Sequence, residues 1–307
     1  MKVNLAEPRG FCAGVERAID IVELSLAKFG SPVYVRKEIV HNRTVVDGLK
    51  PKGAIFVDEL HEVPDNSVVV FSAHGVSPAV REEAERRGLE VIDATCPLVA
   101  KVHIEVVNYV RKGYKLILIG HDGHEEVEGT MGEAPTDTVL VETLDDVASL
   151  EFPDDQKLAL VTQTTLSLDD TAEIVAAIKA KFPHVETPSK DDICYATQNR
   201  QQAIKKMVPE TDVFLILGAA NSSNSQRLKE VAQSMGRDAY LIPTADELDP
   251  KWLEGHKSVG VSAGASAPES LVEELLVRLK ELGYDDTQTV VYADEHVKFP
   301  LPKSLQD

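Results

Sequence analysis

The sequence predicts an α/β fold made of three repeated subdomains with mainly parallel sheets. Short apolar runs alternate with helix-like segments throughout the chain, which is typical of parallel strands joined by helices. The same series of motifs also occurs three times, and each round starts at one of the three cysteines. Self-similarity over a domain-sized period indicates repeated subdomains and not a thin solenoid.

The apolar runs are predicted to be strands buried on both faces, because aliphatic and β-branched residues fill them without alternation. The clearest runs are SVVVFSAHG, KLILIGHDG, LALVTQTT, DVFLILGAANSS and SVGVSAGAS. Helices with plain start signals follow some of these strands. They begin at Ser77–Pro78, at Ser167 with Asp170 in the first turn, and at Pro268–Glu269.

The repeat also predicts the domain boundaries. Cys12, Cys96 and Cys194 are 84 and 98 residues apart. In the first two rounds a final strand leads to the next cysteine, in LEVIDATC and TPSKDDIC, but the third round lacks one. The N-terminal run KVNLAEPRGFC is therefore expected to complete the third subdomain. The expected parts are 14–96, 97–193, 194–283 completed by strand 1–13, and a C-terminal tail at 284–307.

The charge and the composition argue against several classes of protein. A formal net charge of −19 disfavours nucleic acid and anionic membranes as partners, since both attract clustered Lys and Arg. The start MKVNLAEPRG lacks the apolar core of a signal peptide, and no apolar run approaches the ~18 residues of a membrane span. Three distant cysteines do not make a disulfide framework, so we expect a cytoplasmic protein.

Each cysteine is predicted to lie between the end of a strand and the start of a helix. Ligands of parallel sheets gather at the carboxyl ends of strands, and three equivalent units around a pseudo-threefold axis would bring the thiols together. Such soft ligands suit zinc or an iron–sulfur cluster. A structural zinc normally takes a fourth protein ligand, whereas a cluster held by three cysteines keeps one iron open. Three buried structural cysteines are the alternative.

Polar side chains are predicted at or just beyond the ends of the same strands. They are His41, His74, His124, Thr164, Thr165, Ser222, Ser223, Asn224 and Ser266. The stretch NSSNSQRLKEV offers hydroxyls, amides and free backbone N–H groups at a helix start, which either binds phosphate or forms an elaborate N-cap. Histidine can carry charge near neutral pH and can complement an anion.

The segment GHDGHEEVEGT places acidic residues beside histidine, and its stretch HDGH is interpreted as a loop. A carboxylate beside a histidine, in a site with a metal and an anion, is a candidate proton donor, and Glu126 has that position. A pair of histidines in a loop, here His121 and His124, is by itself only a weak sign of a metal site.

Nine motifs in order resemble the 4-hydroxy-3-methylbut-2-enyl diphosphate reductases, the last enzymes of the methylerythritol phosphate route to isoprenoids. The motifs are GFCAGV, VHN, SAHGVS, DATCPLV, GHEEVEGT, TQTTLS, CYATQNRQ, NSSNS and AGASAPE. They cover the chain from Met1 to about residue 283. The resemblance implies a cloverleaf of three α/β subdomains around a pseudo-threefold axis, with an iron–sulfur cluster at the centre.

The same resemblance implies the roles of individual residues. Cys12, Cys96 and Cys194 match the ligands of a 4Fe–4S cluster, whose open iron binds the allylic hydroxyl of the substrate. Glu126 matches the proton source, and Thr164 is its partner near the hydroxyl. The positions that match the substrate-binding residues are His41, His74, His124, Thr164, Ser222, Ser223, Asn224 and Ser266.

The resemblance also implies the reaction and the partners. Two electrons pass through the cluster, the C–O bond breaks and water leaves. Protonation of the allylic intermediate at either end gives isopentenyl diphosphate or dimethylallyl diphosphate. The expected partners are the small allylic diphosphate and a reduced ferredoxin or flavodoxin as electron donor.

Two positions depart from the family's pattern. Glu125 stands where proline is common, and Ala219 stands where serine is common. We expect Glu125 to raise the proton affinity of Glu126 through repulsion between like charges.

Two alternatives stay open on the sequence alone. One is a different three-cysteine cluster enzyme that resembles quinolinate synthase, which shares the threefold arrangement but not the motif series. The other is a non-catalytic protein with a structural zinc bound by three thiolates.

Overall fold

The strands form three sheets, and every strand pair within the described residues is parallel. The structure is a computed structural model that describes residues 1–188 and 190–306. An α/β fold with three parallel sheets is thereby confirmed. None of the described helices combines the length and the apolar character needed to cross a bilayer.

The strands and helices follow the chain in the order that the alternating apolar runs predict. The strands are β1 (Lys2–Glu7), β2 (Val33–Arg36), β3 (Ala54–Val57), β4 (Val68–Phe71), β5 (Glu90–Asp93), β6 (Lys115–Ile119), β7 (Thr138–Val141), β8 (Leu158–Thr162), β9 (Val213–Leu217), β10 (Asp238–Ile242), β11 (Ser258–Ala263) and β12 (Asp286–Val291). The α-helices are α1 (Ala13–Phe29), α2 (Arg43–Leu49), α3 (Pro78–Arg86), α4 (Pro97–Arg111), α5 (Glu125–Gly132), α6 (Leu144–Ser149), α7 (Leu168–Lys181), α8 (Tyr195–Met207), α9 (Ser223–Ser234) and α10 (Glu269–Glu281).

The predicted helix starts are confirmed at α3, α7 and α10. Ser77 is the N-cap of α3, with Pro78 as the first helical residue. At α7 the Ser167 side chain accepts a hydrogen bond from the backbone N–H of Asp170. Helix α10 begins at Glu269, directly after Pro268. At Ser167 the side chain thus satisfies an N–H group that has no partner inside the helix, and at α3 proline suits the first helical position.

The chain forms two compact units. The first unit comprises Met1–Glu16, His41–Asp47 and Tyr195–Lys298. The second unit comprises Arg17–Val40, Gly48–Cys194 and the chain from Phe299 onward.

The first unit contains a five-stranded sheet in the order β10-β9-β11-β1-β12. The first strand of the chain therefore lies beside β11, in the sheet that also contains β9 and β10. Val3 is in register with Val259 on one side and with Thr287 on the other. Strand β12 lies within the segment expected to be a tail, and its side chains are mostly exposed at the edge of the sheet.

Side chains on the two faces of this sheet pack against different helices. Leu215 and Val261 are fully buried in a cluster with Leu275 of α10. Phe214, which points to the other face, packs with residues of α8 and α9, among them Ile204. The alternation places helices on both faces, as all-parallel sheets require.

The second unit contains two sheets, in the orders β3-β2-β4-β5 and β7-β6-β8. In the first of these, Phe71 is fully buried against Ala84 of α3. In the second, Leu118 packs with Val106 of α4, and Ile117 packs with Ile178 of α7 on the opposite face. Each sheet of this unit thus has its own apolar core.

The described residues of TPSKDDIC, 187–188 and 190–194, form no strand, which corrects the prediction for the second repeat. Only Glu186, just before it, forms an isolated parallel bridge. Pro188 has no N–H for a ladder, and the charged residues 190–192 cannot form an apolar strand face. Ser189 of this segment lies outside the described residues.

Candidate functional site

None of the three cysteines forms a disulfide, and each is half-buried at the beginning of a helix. Cys96 is the N-cap of α4, while Cys12 and Cys194 directly precede α1 and α8. The backbone N–H of each cysteine donates to a carbonyl that lies beyond the end of a strand. The pairs are Cys12 with Ala265 at 3.2 Å, Cys96 with Ala73 at 2.9 Å, and Cys194 with Thr164 at 3.0 Å. A helix start favours the thiolate form, which is the metal-binding form.

Gly10 gives the chain the turn that leads into Cys12. Its φ is +63°, a region that favours glycine. A Cβ at this position would lie 3.1 Å from the carbonyl oxygen of Ala267. The glycine is therefore required by the local backbone of the first unit.

Glu126 is buried and bound by Thr164, and both residues belong to the second unit. One carboxylate oxygen accepts from the Thr164 backbone N–H at 2.6 Å, and the other accepts from its hydroxyl at 3.0 Å. Only 3% of Glu126 is exposed. The structure thus brings together the two residues that the sequence assigned to catalysis.

Burial raises the pKa of Glu126 to about 7. The two hydrogen bonds from Thr164 act in the opposite direction, because they favour the charged carboxylate. The negative charge of Asp192 raises the pKa further. A carboxyl with this pKa carries a proton in a large fraction of molecules at neutral pH, so it can serve as an acid.

Glu126 stands on a helix that directly follows the loop HDGH. Helix α5 begins at Glu125, and the His124 Nδ1 accepts from the Glu126 backbone N–H at 3.1 Å. A ring that accepts at Nδ1 carries its proton on Nε2 when neutral, so Nε2 is a donor. The N-cap therefore fixes both the start of the helix and the tautomer of His124.

His74 and Glu125 meet in the second unit. The His74 Nδ1 lies 2.8 Å from a Glu125 carboxylate oxygen. The rings of His74 and His124 are edge to face, with centroids 6.0 Å apart. Two imidazoles predicted to bind substrate are thus neighbours.

The expected effect of Glu125 on Glu126 is corrected by this geometry. The like charge that raises the pKa of Glu126 is that of Asp192. The Glu125 carboxylate instead lies against His74, which supplies a partner of opposite charge when protonated. The first-turn position of Glu125 also accounts for proline in the family's pattern, since proline suits the first residue of a helix.

A close contact holds α5 against the loop after β4. A Cβ at Gly132 would lie 2.3 Å from the Ser77 Cβ, so only glycine fits there. The end of α5 therefore packs against Ser77, and its first residue, Glu125, contacts His74 on the same loop.

The N-terminus of helix α9, in the first unit, contains three predicted substrate-binding residues, Ser222, Ser223 and Asn224. Ser222 is the N-cap and accepts from the Ser225 backbone N–H, and Ser223 is the first helical residue. The first turn contains no acidic residue. Unpaired N–H groups and the helix dipole make such an end suitable for a phosphate. The N-cap and the phosphate interpretations of NSSNS are therefore compatible.

Asn224 connects three elements of the first unit. Its amide nitrogen donates to the Thr197 hydroxyl at 3.2 Å, and its carbonyl oxygen accepts from the Ala265 backbone N–H at 2.8 Å. Asn224 is also 5% exposed. These bonds give it a structural role in addition to the predicted role in binding.

His41 and Ser266 are joined through the backbone in the same unit. The Ser266 hydroxyl donates to the His41 carbonyl oxygen at 3.0 Å. The His41 Nδ1 lies 3.4 Å from the Asn221 side-chain nitrogen, which can only donate. The His41 ring therefore also presents Nε2 as its donor when neutral.

Asp192 is a polar residue near Glu126 that sequence reasoning missed. One of its oxygens accepts from the Thr162 backbone N–H at 2.9 Å, and its side chain is 1% exposed. The signal is the acidic pair in DDIC, one residue away from a cysteine, inside a segment that the sequence predicts to be a strand.

Comparison with known families identifies the chain. The sequence model of the LytB protein family matches residues 3–280. The chain belongs to the LytB protein family. The 4-hydroxy-3-methylbut-2-enyl diphosphate reductase of Aromatoleum aromaticum is 60% identical to this LytB chain over 305 residues, which cover 99% of this chain and 98% of that protein. The reductase of the same name from Marinobacter nauticus is 57% identical over 310 residues, covering 100% of this chain and 98% of that protein.

Solved structures agree with the LytB assignment. The E-1-hydroxy-2-methyl-but-2-enyl-4-diphosphate reductase of Plasmodium falciparum superimposes with a TM-score of 0.95 at 43% identity, covering 99% of this chain and 96% of that one. A second structure, described as the terminal enzyme of the non-mevalonate pathway, gives a TM-score of 0.65 at 37% identity, covering 92% of this chain and 100% of that one. The resemblance found in the nine sequence motifs is confirmed.

Proposed function

We infer that this LytB chain is an oxidoreductase that reduces 4-hydroxy-3-methylbut-2-enyl diphosphate to isopentenyl diphosphate and dimethylallyl diphosphate. The observation that carries the inference is a buried carboxyl, Glu126, with a pKa raised to about 7 and held by Thr164, in a chain of this family. A reduction that removes a hydroxyl as water needs such an acid beside the reacting carbon atoms.

We propose that Cys12, Cys96 and Cys194 hold a 4Fe–4S cluster. The donor set fits this group, because three thiols at helix starts, none of them in a disulfide and each with a hydrogen-bonded backbone N–H, form a soft ligand set. When bound, the cluster supplies two electrons and an open iron for the allylic hydroxyl. The side chains and backbone of the protein provide the proton and bind the diphosphate.

The reaction consumes two electrons and two protons, breaks one C–O bond and forms one C–H bond. One proton leaves with the hydroxyl as water, and the other is added to an end carbon of the allyl group. Glu126 is the proposed proton source, since its raised pKa keeps the acid form available at neutral pH. Thr164 orients that carboxyl through its N–H and its hydroxyl.

The diphosphate is proposed to bind to imidazole N–H groups, hydroxyls and a helix N-terminus. The α9 N-terminus with Ser222 and Ser223 supports this proposal, as do the Nε2 donors of His41 and His124. The proposed binding residues are His41, His74, His124, Thr164, Ser222, Ser223, Asn224 and Ser266. Such hydrogen-bond donors can bind the diphosphate without a cluster of lysines.

The electron donor is proposed to be a reduced ferredoxin or flavodoxin, and the location is proposed to be the cytoplasm. Such donors are usually acidic, and this chain carries −19. Docking of the two proteins therefore needs a local basic patch, and the rate of reduction should fall when salt screens it.

Anaerobic turnover tests the enzyme assignment. Protein purified without oxygen and containing its full iron complement is mixed with the allylic diphosphate and a reduced dye. We expect both products to appear while the dye is oxidised. Unchanged substrate in the presence of protein with intact clusters would rule out the proposed activity.

Metal analysis separates the enzyme from a structural zinc protein. We expect about equal iron and sulfide, near four of each per chain, and a broad visible absorption typical of such clusters. Zinc without that absorption would favour the non-catalytic alternative. Activity should also decline together with the visible absorption on exposure to air, because the open iron has no protecting thiolate.

A further inference from the structure

A basic residue follows each cysteine at nearly the same distance. Arg17 and Lys101 lie five residues after Cys12 and Cys96, and Arg200 lies six residues after Cys194. The three stand in the second turns of the helices that follow those cysteines, α1, α4 and α8. We call Arg17, Lys101 and Arg200 the anchoring cations. None of them holds the segment before its own cysteine.

Arg200 holds the segment before Cys12. Its guanidinium donates to the Gly10 carbonyl oxygen at 2.7 Å and 3.1 Å, and to the Phe11 carbonyl oxygen at 3.2 Å. The side chain is 1% exposed, and Glu295 balances its charge at 3.2 Å. A buried planar cation with several acceptors fixes a backbone in both position and direction.

Arg17 holds the segment before Cys96 in the same manner. One of its terminal nitrogens donates to the carbonyl oxygens of Ala94 at 3.3 Å and Thr95 at 3.1 Å. Its Nε donates to the Pro300 carbonyl oxygen at 2.7 Å. The acceptors Ala94 and Thr95 occupy the same two positions before their cysteine as Gly10 and Phe11 occupy before Cys12.

Lys101 holds the segment before Cys194. Its ammonium donates to the Lys190 carbonyl oxygen at 3.0 Å and to a carboxylate oxygen of Asp192 at 2.7 Å. A third acceptor is the Asp191 carbonyl oxygen at 3.5 Å. These contacts hold residues 190–192, which form no strand, in one conformation.

The order of these contacts is cyclic. The cation after the first cysteine holds the segment before the second, the cation after the second holds the segment before the third, and the cation after the third holds the segment before the first. We propose that Arg17, Lys101 and Arg200 are positioning residues that each fix the next cysteine of the proposed cluster site. The proposal rests on the function inferred above, since it assigns the cysteines as cluster ligands.

The cyclic order gives a test that ordinary loss of stability cannot imitate. In Lys101→Met, we expect the backbone amide of Cys194 to exchange hydrogen at least tenfold faster, because its segment loses three contacts. The amide of Cys96, at the start of the same helix as Lys101, should keep its rate. In Arg17→Met, hydrogen exchange at the Cys96 amide should become faster, and exchange at the Cys12 amide should keep its wild-type rate. Exchange is measured by mass spectrometry on the full chain, purified anaerobically with its metal.

Matched variants keep the test interpretable. Arg111→Met removes an exposed cation from the same helix as Lys101. It should leave the exchange rates of the Cys96 and Cys194 amides unchanged. Arg200→Lys replaces the buried guanidinium without removing its charge, and should still accelerate the Cys12 amide because an ammonium cannot reach the same set of acceptors. For each variant, two amides are compared: that of the cysteine before the substituted cation and that of the cysteine whose segment the cation contacts. Equally faster exchange at both, or a wild-type rate at the contacted one, would overturn the proposal.

Iron release gives a second readout. We expect each of the three variants to lose iron to an external chelator at least tenfold faster than wild type, and Arg111→Met to match wild type. Wild-type release rates in all three would contradict the positioning role. A wild-type protein that holds no iron would instead refute the proposed function, while the exchange rates would still report on the anchoring cations.

Discussion

Glu126 is the residue on which the proposed chemistry depends most directly. Its carboxyl is buried, carries a pKa raised to about 7 and is held by Thr164. Glu126→Gln keeps the shape of the side chain but removes the proton, so turnover should fall by about 10²–10⁴-fold, the usual contribution of a general acid. Substrate affinity should change little. Steady-state turnover and a separate binding measurement check both expectations.

The matched control for this substitution is Glu128→Gln, an exposed glutamate on the same helix, which should retain wild-type turnover. Equal losses in turnover and in binding for Glu126→Gln would show that the residue holds substrate and does not donate a proton.

The pH dependence of turnover follows from the direction of the Glu126 pKa. The acid form donates, so turnover should fall as the pH rises above about 7. The Thr164 hydroxyl stabilises the charged form, and Thr164→Val removes that hydrogen bond. The pKa of Glu126 should then rise, and the alkaline decline in turnover should move to higher pH. A pH–rate profile of both proteins measures the shift.

Glu125→Pro is the control for that profile. Proline fits the first position of α5, and Asp192 is the like charge that acts on Glu126, so the decline should stay at the wild-type pH. If the alkaline decline in turnover moved in Glu125→Pro but not in Thr164→Val, Glu125 and not Thr164 would be the residue that sets the pKa of Glu126.

At the scale of the element, the N-cap of α5 combines folding with function. The His124 Nδ1 accepts from the backbone N–H of Glu126. His124→Ala should lower the free energy of unfolding by about 1 kcal/mol through loss of the cap. His124→Asn should restore that stability, because asparagine is a strong N-cap, but not the binding of substrate, because the imidazole is absent. Denaturant unfolding and the KM distinguish the two effects.

If both His124 variants bound substrate like wild type, the ring would be only a cap. If His124→Asn were as unstable as His124→Ala, the Nδ1 hydrogen bond would not be the source of the stability. Each outcome therefore separates one of the two roles from the other.

The sequence could predict the elements wherever a single local signal was strong. Runs such as KLILI have no polar residue inside, and caps such as Ser167 have a clear partner in the first turn. Helix α5 was missed because glycines surround and interrupt it, although they allow its close packing at Gly132. Strand β12 was missed because its DTQTVV sequence faces solvent and pairs with β1 alone.

At the scale of the whole molecule, the C-terminal segment contributes to both compact units. The chain up to Lys298 belongs to the first unit, and the chain from Phe299 onward belongs to the second. Glu295 neutralises Arg200 in the first, and the Pro300 carbonyl accepts from Arg17 in the second. What the sequence suggested to be an appended tail therefore supports two of the anchoring cations.

Glu295→Ala should destabilise the protein, because it leaves the buried charge of Arg200 without its carboxylate. Breaking such a pair costs about 3 kcal/mol in the free energy of unfolding. Chemical denaturation measures the change, with Glu274→Ala, an exposed glutamate of α10, as the matched control. A loss in Glu295→Ala no larger than in the control would show that the backbone carbonyls alone stabilise Arg200.

The candidate site was predictable from the sequence to the extent that it follows the repeat. Cysteines at equivalent positions and polar strand ends could be found by aligning the three rounds of motifs. The anchoring cations also repeat, at five or six residues after each cysteine, but their targets lie about 80 residues or more away in the chain. Only the folded structure reveals such long-range pairs, since spacing alone does not name the acceptor.

The first strand to be synthesised is also the one whose partners are synthesised last. β1 pairs with β11 and β12, which begin at Ser258 and Asp286. A ribosome adds roughly 5–20 residues per second, so β1 waits on the order of 10 s or longer for its neighbours. The loop that carries Cys12 receives its sheet, and its contact with Ala265, only when translation is almost complete. The proposed cluster can therefore gain all three of its cysteines in their folded positions only when the chain is nearly finished.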